Sequence, residues 1–201
     1  SGFYTFVVPS GWSGTVTPSK AGMSFTPSSR SYTNVLENQT AQDYAALGGP
    51  DIFGYTWDDT VALNWIDVTD GANTWLTGYA SATGAIALPF PFKYYENTYN
   101  QLYIATPGYL SFTDASYWDT QSPIPATSEP NNVIAPYWTP NYIGADSWVR
   151  YKSGGIAPNR YFVIEWHDVK GGDPLNEVGS DDTFRFEVIL HENGDIVFQY
   201  Q

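Results

Sequence analysis

The sequence predicts an all-β fold in two domains. Three observations point there. Short runs rich in Val, Ile, Thr, Phe, Tyr and Trp alternate apolar and polar residues, the period of a pleated strand. Pro (14) and Gly (18) punctuate those runs. No amphipathic helix is legible: the best candidate, residues 42–47, is too short and stops at Gly48-Gly49-Pro50.

The elements follow in chain order. Residues 3–8 put Tyr4, Phe6 and Val8 on one face and stop at Pro9-Ser10-Gly11. Residues 14–17, 23–26, 32–35 and 39–45 read as further short strands. Val16-Thr17-Pro18-Ser19 and Phe25-Thr26-Pro27-Ser28 end two of them, because proline has no N–H to give a ladder. Gly48-Gly49-Pro50 marks a linker, so domains are expected at 1–46 and 51–201, with 47–50 between them. In the second domain, residues 85–94 space Ile86, Leu88, Phe90, Phe92 and Tyr94 by two, and Pro89 and Pro91 mark an edge strand. Residues 101–105, 109–113, 133–138 and 147–152 come next. Residues 161–168 turn Phe162, Ile164 and Trp166 inward and Tyr161, Glu165 and His167 outward. Residues 183–191 turn Phe184, Phe186, Val188 and Leu190 inward and Arg185, Glu187 and His191 outward. Asn193-Gly194 joins that run to Ile196, Phe198 and Tyr200, the strongest short-range hairpin signal. So many strands without helices need two packed sheets or a barrel. A Greek-key or jelly-roll β-sandwich is the expected form.

Composition then excludes whole classes of function. Lys and Arg number 8 against 21 Asp and Glu, a net charge of −13. Nucleic acid and anionic membrane both demand clustered cations, so neither is expected as a partner. Aromatic residues make up 17% of the chain, enough for a large core and contrary to disorder. Cysteine is absent, which removes thiolate metal sites, thiol nucleophiles and disulfides. No run of eighteen apolar residues exists, so no helical membrane insertion is expected.

Two stretches resemble known families. Gly11-Trp12-Ser13-Gly14-Thr15-Val16-Thr17-Pro18-Ser19-Lys20, with Phe25 to Tyr32 and Gln39 to Tyr44, is similar to the second half of a bacterial Ig-like or carboxypeptidase-regulatory-like repeat. Residues 51–201 resemble a β-sandwich module of secreted bacterial surface proteins, often found beside subtilisin-like proteases. Phe53-Gly54-Tyr55-Thr56-Trp57, Trp65-Ile66-Asp67, Leu88-Pro89-Phe90-Pro91-Phe92, Gly108-Tyr109-Leu110-Ser111-Phe112 and Gly194-Asp195-Ile196-Val197-Phe198-Gln199-Tyr200 carry the likeness, together with Pro130 to Trp138 and Ala157 to Trp166. The resemblance implies an extracellular or cell-surface location and a sandwich architecture, and it brings no active site. Against those repeats the first domain lacks its opening strands and the second stops early, so both ends are expected to be open, in a fragment or in a strand-exchanging subunit.

Candidate chemistry is thin. His167 and His191 are the two histidines, both on the outward face, and no Gly-x-Ser-x-Gly elbow accompanies them. Glu165 and Glu187 neighbour each other across strands, near Arg185 and Arg160. A general acid/base pair would have to face a cleft, and a cross-strand ion cluster is the plainer reading. No cofactor is required. If a metal is held, hard oxygen ligands suit Ca2+, from Asp173, Glu177, Asp181 and Asp182 in the loop after Asp168. Asp58, Asp59, Asp67 and Asp70 form a second acidic group, and neither has EF-hand spacing. Trp118, Trp138, Tyr142 and Trp148 are candidates for stacking sugar rings, whereas Trp57, Trp65, Tyr137 and Trp166 are expected in the core. Asn38-Gln39-Thr40 is an N-glycosylation sequon.

The expectation is a non-enzymatic, extracellular structural or adhesive module. It would build a surface layer, stalk or filament by β-strand pairing with copies of itself or adjacent repeats. Tyr4, Phe6, Val8, Ile196, Phe198 and Tyr200 are the expected contacts. The alternative is a carbohydrate-binding accessory module of a secreted hydrolase, with a polysaccharide partner. A hydrolase in its own right comes last.

Overall fold

The computed structural model describes residues 4–20, 23–48, 50–51, 53–114, 124, 129–171 and 183–201. All regular structure among them is β, as the alternation predicts. The chain forms two compact units, Ser1–Val61 and Ala62–Gln201.

The first unit holds β1 (Trp12–Val16), β2 (Met23–Thr26), β3 (Arg30–Val35) and β4 (Ala45–Gly48). β1 pairs antiparallel with β3, and β2 with β4. Aromatic rings supply its packing: Trp12 lies 6.1 Å from Tyr32 and 6.0 Å from Phe6, and Tyr4 lies 6.0 Å from Tyr44. Two expectations are corrected here. Residues 4–8 enter no strand, and the strand expected over 39–45 begins only at Ala45. Side-chain bonds replace a ladder in both places. The Tyr4 hydroxyl donates to the Gln42 carbonyl at 2.5 Å, and the Tyr32 hydroxyl donates to Gln42 Oε1 at 3.0 Å.

The second unit runs through β5 (Ala72–Asn73), β6 (Ile86–Tyr94), β7 (Asn97–Ala105), β8 (Tyr109–Ser111), β9 (Val133–Ile134) and β10 (Asn141–Tyr142). It ends with β11 (Trp148–Gly154), β12 (Tyr161–Gly171), β13 (Thr183–His191) and β14 (Ile196–Tyr200). One sheet has the order β6-β7-β8-β9, with the proline-bearing β6 at its edge. The other has the order β14-β13-β12-β11-β5, with β10 also on β12. The hairpin at Asn193-Gly194 joins β13 to β14, and Gly194 has φ +99°, which the turn requires.

The two sheets face each other across one core. Phe90, Phe92, Leu102, Ile104, Leu110 and Phe112 meet Phe162, Ile164, Trp166, Phe186, Val188 and Leu190. This is the β-sandwich that the sequence predicts. Trp166 is fully buried, stacks on Phe186 at 5.1 Å and donates its indole N–H to the Ala105 carbonyl at 3.1 Å.

The back of the β12–β13 sheet is not a solvent face. Residues 62–70, without regular structure, lie over it as a strap. Val68 is fully buried there with Val163 and Ile189, and Ile66, Trp148, Tyr161 and Val197 pack around them. Two sequence expectations are corrected, the first by this strap. Glu165 and Glu187, placed on the outside by alternation, are 2% and 0% exposed. Trp57, expected in the core, is 64% exposed, and Trp65 is half-buried in the strap.

Candidate functional site

The strap covers a polar row that crosses four strands. Register places Arg150 of β11 opposite Glu165 of β12, Glu165 opposite Glu187 of β13, and Glu187 opposite Gln199 of β14. Just beyond the paired ends of β12 and β13 the Glu192 N–H bonds to the Arg160 carbonyl at 2.9 Å, which fixes the alternation of the ladder. Glu165 and Glu187 therefore form a non-hydrogen-bonded pair, the kind whose side chains approach closest.

Each member of the row is tied to the strap. The Gln199 amide donates to the Asn64 carbonyl at 2.9 Å and accepts from the Asn64 N–H at 2.5 Å. Glu187 Oε1 accepts from the Ile66 N–H at 3.2 Å and from Gln199 Nε2 at 2.7 Å. Trp65 hydrogen-bonds to Glu165. Arg150 donates to the Thr69 carbonyl, and Lys152 pairs with Asp70 at 2.6 Å.

Charge is placed unevenly. His167 Nδ1 lies 2.6 Å from Glu165 Oε1, and Arg185 Nη2 lies 3.1 Å from His167 Nε2. The Glu165 carboxylate only accepts, so the Nδ1 proton of His167 is directed at it, while Nε2 faces both Arg185 and, at 3.5 Å, Asp168 Oδ2. Arg185 also pairs with Asp168 at 2.9 Å. Among the described residues Glu187 has no cation of its own, and its Oε2 is buried without a hydrogen-bond partner. Burial pushes the Glu187 carboxyl up to about 7, and the nearby Glu165 adds to that. Burial also raises Glu165, against the opposing pull of His167 and Arg185. The row is sealed beneath the strap, so it lacks the open cleft that paired carboxylates need for glycoside hydrolysis. Sequence alternation missed its burial. The signal was present in Val163, Ile189 and Val197, apolar residues on the nominally polar face, since a strand apolar on both sides is covered on both sides.

The second feature is the edge of the sheet. β14 is its last strand. The His191 N–H bonds to the Asp195 carbonyl at 2.9 Å, and the Gln201 N–H to the Arg185 carbonyl at 2.8 Å. Val197 and Gln199 share that phase, so the main-chain groups of Ile196, Phe198 and Tyr200 point off the sheet. They have no backbone partner on that side among the described residues. Phe198 is 44% exposed and Tyr200 52%, although the Tyr200 hydroxyl reaches the Pro136 carbonyl at 2.8 Å. In the first unit, Tyr4 is 49% exposed, Phe6 62% and Val8 half-buried.

The remaining candidates disperse. The ring of Trp148 stacks on His167 at 4.1 Å with Arg150 over it at 4.6 Å. Trp138 lies 5.3 Å from Tyr109, and Tyr142 lies 4.8 Å from Tyr79. Trp118, Asp173, Glu177, Asp181 and Asp182 lie outside the described residues. Asp58 and Asp67 each cap their own turn through Thr60 and Thr69, while Asp70 holds Lys152. Among the described residues no three acidic or histidine side chains gather as a metal site. His191 is half-buried beside the hairpin turn.

Comparison with known proteins adds one finding. A family model described as NIDO related matches residues 54–201. Neither a search of curated proteins nor one of solved structures gives a match. The match does not reach residues 1–46, and the comparisons give no support to the expected Ig-like repeat there or to the expected neighbourhood of subtilisin-like proteases. NIDO-related domains are typically found in extracellular proteins. With most of its length matched, including the whole two-sheet sandwich, the chain belongs to the NIDO-related family of extracellular-type modules.

Proposed function

We propose that the chain is a non-enzymatic structural or adhesive module that joins a neighbouring β-segment along β14. The observation that carries this is the phase of the strand: Ile196, Phe198 and Tyr200 direct N–H and C=O groups off the sheet, without a backbone partner among the described residues, beside half-exposed aromatic rings. Edges of this kind are ready templates for strand addition.

The segment proposed to fill it is residues 4–8 of a second copy. That segment alternates Tyr4, Phe6 and Val8 and enters no strand of its own among the described residues. Both units are net acidic, with Lys20 and Arg30 against five carboxylates in residues 1–61 and six cations against sixteen carboxylates in residues 62–201. The match therefore rests on backbone pairing and aromatic packing, not on charge. Repeated head to tail, such a contact is heterologous and builds a chain of subunits rather than a closed dimer.

Phe198→Pro tests the reading. Its N–H does not serve the β13–β14 ladder, so proline blocks the edge and leaves the hairpin paired. Sedimentation over a concentration series should show association for the wild type and monomer for the variant. Phe198→Lys, which guards the edge with charge, should do the same. Monomeric wild-type protein at all concentrations, or undiminished association in both variants, would refute the proposal.

A further inference from the structure

We propose that, of the opposed pair Glu165 and Glu187, Glu187 alone carries a proton, and that this proton holds residues 64–70 of the strap against the sheet. The geometry assigns it. Glu165 and Glu187 are directly opposed on a non-hydrogen-bonded pair and almost fully buried. Glu165 receives the His167 Nδ1–H at 2.6 Å and has Arg185 at 3.9 Å, so Glu165 is the carboxylate. Glu187 Oε1 is filled by the Ile66 and Gln199 donors, and no donor is aimed at Oε2. A buried carboxylate oxygen with no donor is far more costly than a neutral acid, so Oε2 carries the proton.

The charged groups around Glu187 agree. β11 contributes Arg150, which turns to the Thr69 carbonyl and to Trp148. β12 contributes Glu165 and His167, with Asp168 beyond them. Arg185 of β13 is spent on His167 and Asp168. β14 contributes only the neutral Gln199. In the strap, Asp67 bonds to Thr69 and Asp70 to Lys152. None of these contacts brings a cation to Glu187 Oε2.

The consequence follows from linkage. With the strap lifted, Glu187 meets water and ionises in the ordinary carboxylate range; with the strap down it keeps its proton until about pH 7. Opening therefore releases one proton throughout that window, and the opening equilibrium rises about tenfold per pH unit. Acid tightens the strap, and neutral pH loosens it from the apolar patch of Val163 and Ile189.

Amide hydrogen exchange on the full chain reads this directly. After the ordinary pH dependence of chemical exchange is divided out, protection of residues 64–70 should fall roughly 40-fold between pH 5 and pH 7. Above that it should level. In Glu187→Gln most of that slope should be gone, leaving only the smaller contribution of the buried Glu165. A flat profile in the wild type, or the same slope in Glu187→Gln, would overturn the proposal. A second measurement needs only the wild type: in carboxyl-carbon NMR, one buried glutamate should titrate close to 7. Titration of every glutamate in the ordinary carboxylate range would overturn it equally.

Discussion

Replacing Glu187 by glutamine should stabilise the protein at neutral pH and leave it unchanged in mild acid. The side chain keeps its shape and its Oε1 acceptor, and it loses only the ability to ionise. Glu187 titrates at about 7 in the folded chain against 4.5 unperturbed. Each tenfold gain in proton affinity is worth about 1.4 kcal/mol, so the full window amounts to about 3.5 kcal/mol, an upper figure because water relaxes around a newly formed charge. An acid whose folded-state pKa is raised holds its proton more tightly when folded. Its contribution is therefore fully favourable below pH 4.5, declines as pH rises through the window, and stays lost above 7. Asp58, Asp67 and Glu192, held low by hydrogen bonds from Thr60, Thr69 and Arg160, act only below the carboxylate range and do not confuse that window. Urea unfolding at pH 5 and pH 8 measures the difference. Wild type should lose up to about 3 kcal/mol between the two, and Glu187→Gln much less. Equal pH dependence in both proteins would show that Glu187 is ionised throughout and that the assignment of its proton is mistaken.

Two further changes probe the packing that positions these features. Val68→Ala removes two methyl groups from a fully buried site under the strap, and should destabilise the second unit by about 2 kcal/mol. A negligible loss in chemical denaturation would mean that the strap does not belong to the cooperative fold. Gly108→Ala should be worse, because Gly108 has φ +85° and a Cβ there would stand 2.2 Å from the Tyr137 carbonyl oxygen. Left-handed backbone alone costs about 1–2 kcal/mol for a residue with a Cβ, and the clash adds to it. A melting temperature equal to wild type would refute that reading of the turn between β7 and β8.

Much of the scaffold was legible from local pattern. Asn193-Gly194 set the β13–β14 hairpin, and Pro89 with Pro91 marked β6 as an edge, because both signals are backbone restrictions that hold in any surroundings. The period-two runs of β12 and β13 placed Phe162, Ile164, Trp166, Phe186 and Val188 in the core. What alternation could not see was the strap. Residues 62–70 carry no periodicity and acquire their role only by lying on a sheet built from residues a hundred positions later. The burial of Glu165 and Glu187 depends on that tertiary contact, so a local reading put both acids in water. The edge phase of β14 was half visible: Ile196, Phe198 and Tyr200 were named from spacing, but their outward main-chain groups follow from two hydrogen bonds bracketing the strand. Residues 4–8 show the opposite failure, a strand pattern that finds no ladder and is held by the hydroxyl of Tyr4 and the ring of Phe6.

Because the chain has no cysteine of its own, strand addition at β14 can be trapped covalently. Chains carrying Phe198→Cys would be mixed with chains carrying Tyr4→Cys, Phe6→Cys or Val8→Cys in turn, oxidised mildly and run without reductant. Pairing predicts a disulfide-linked dimer for at least one of these mixtures. It should stand well above the yield with Ile156→Cys, a control side chain that is 85% exposed and away from both segments in sequence. Equal yields across all mixtures and the control would contradict the edge-joining account.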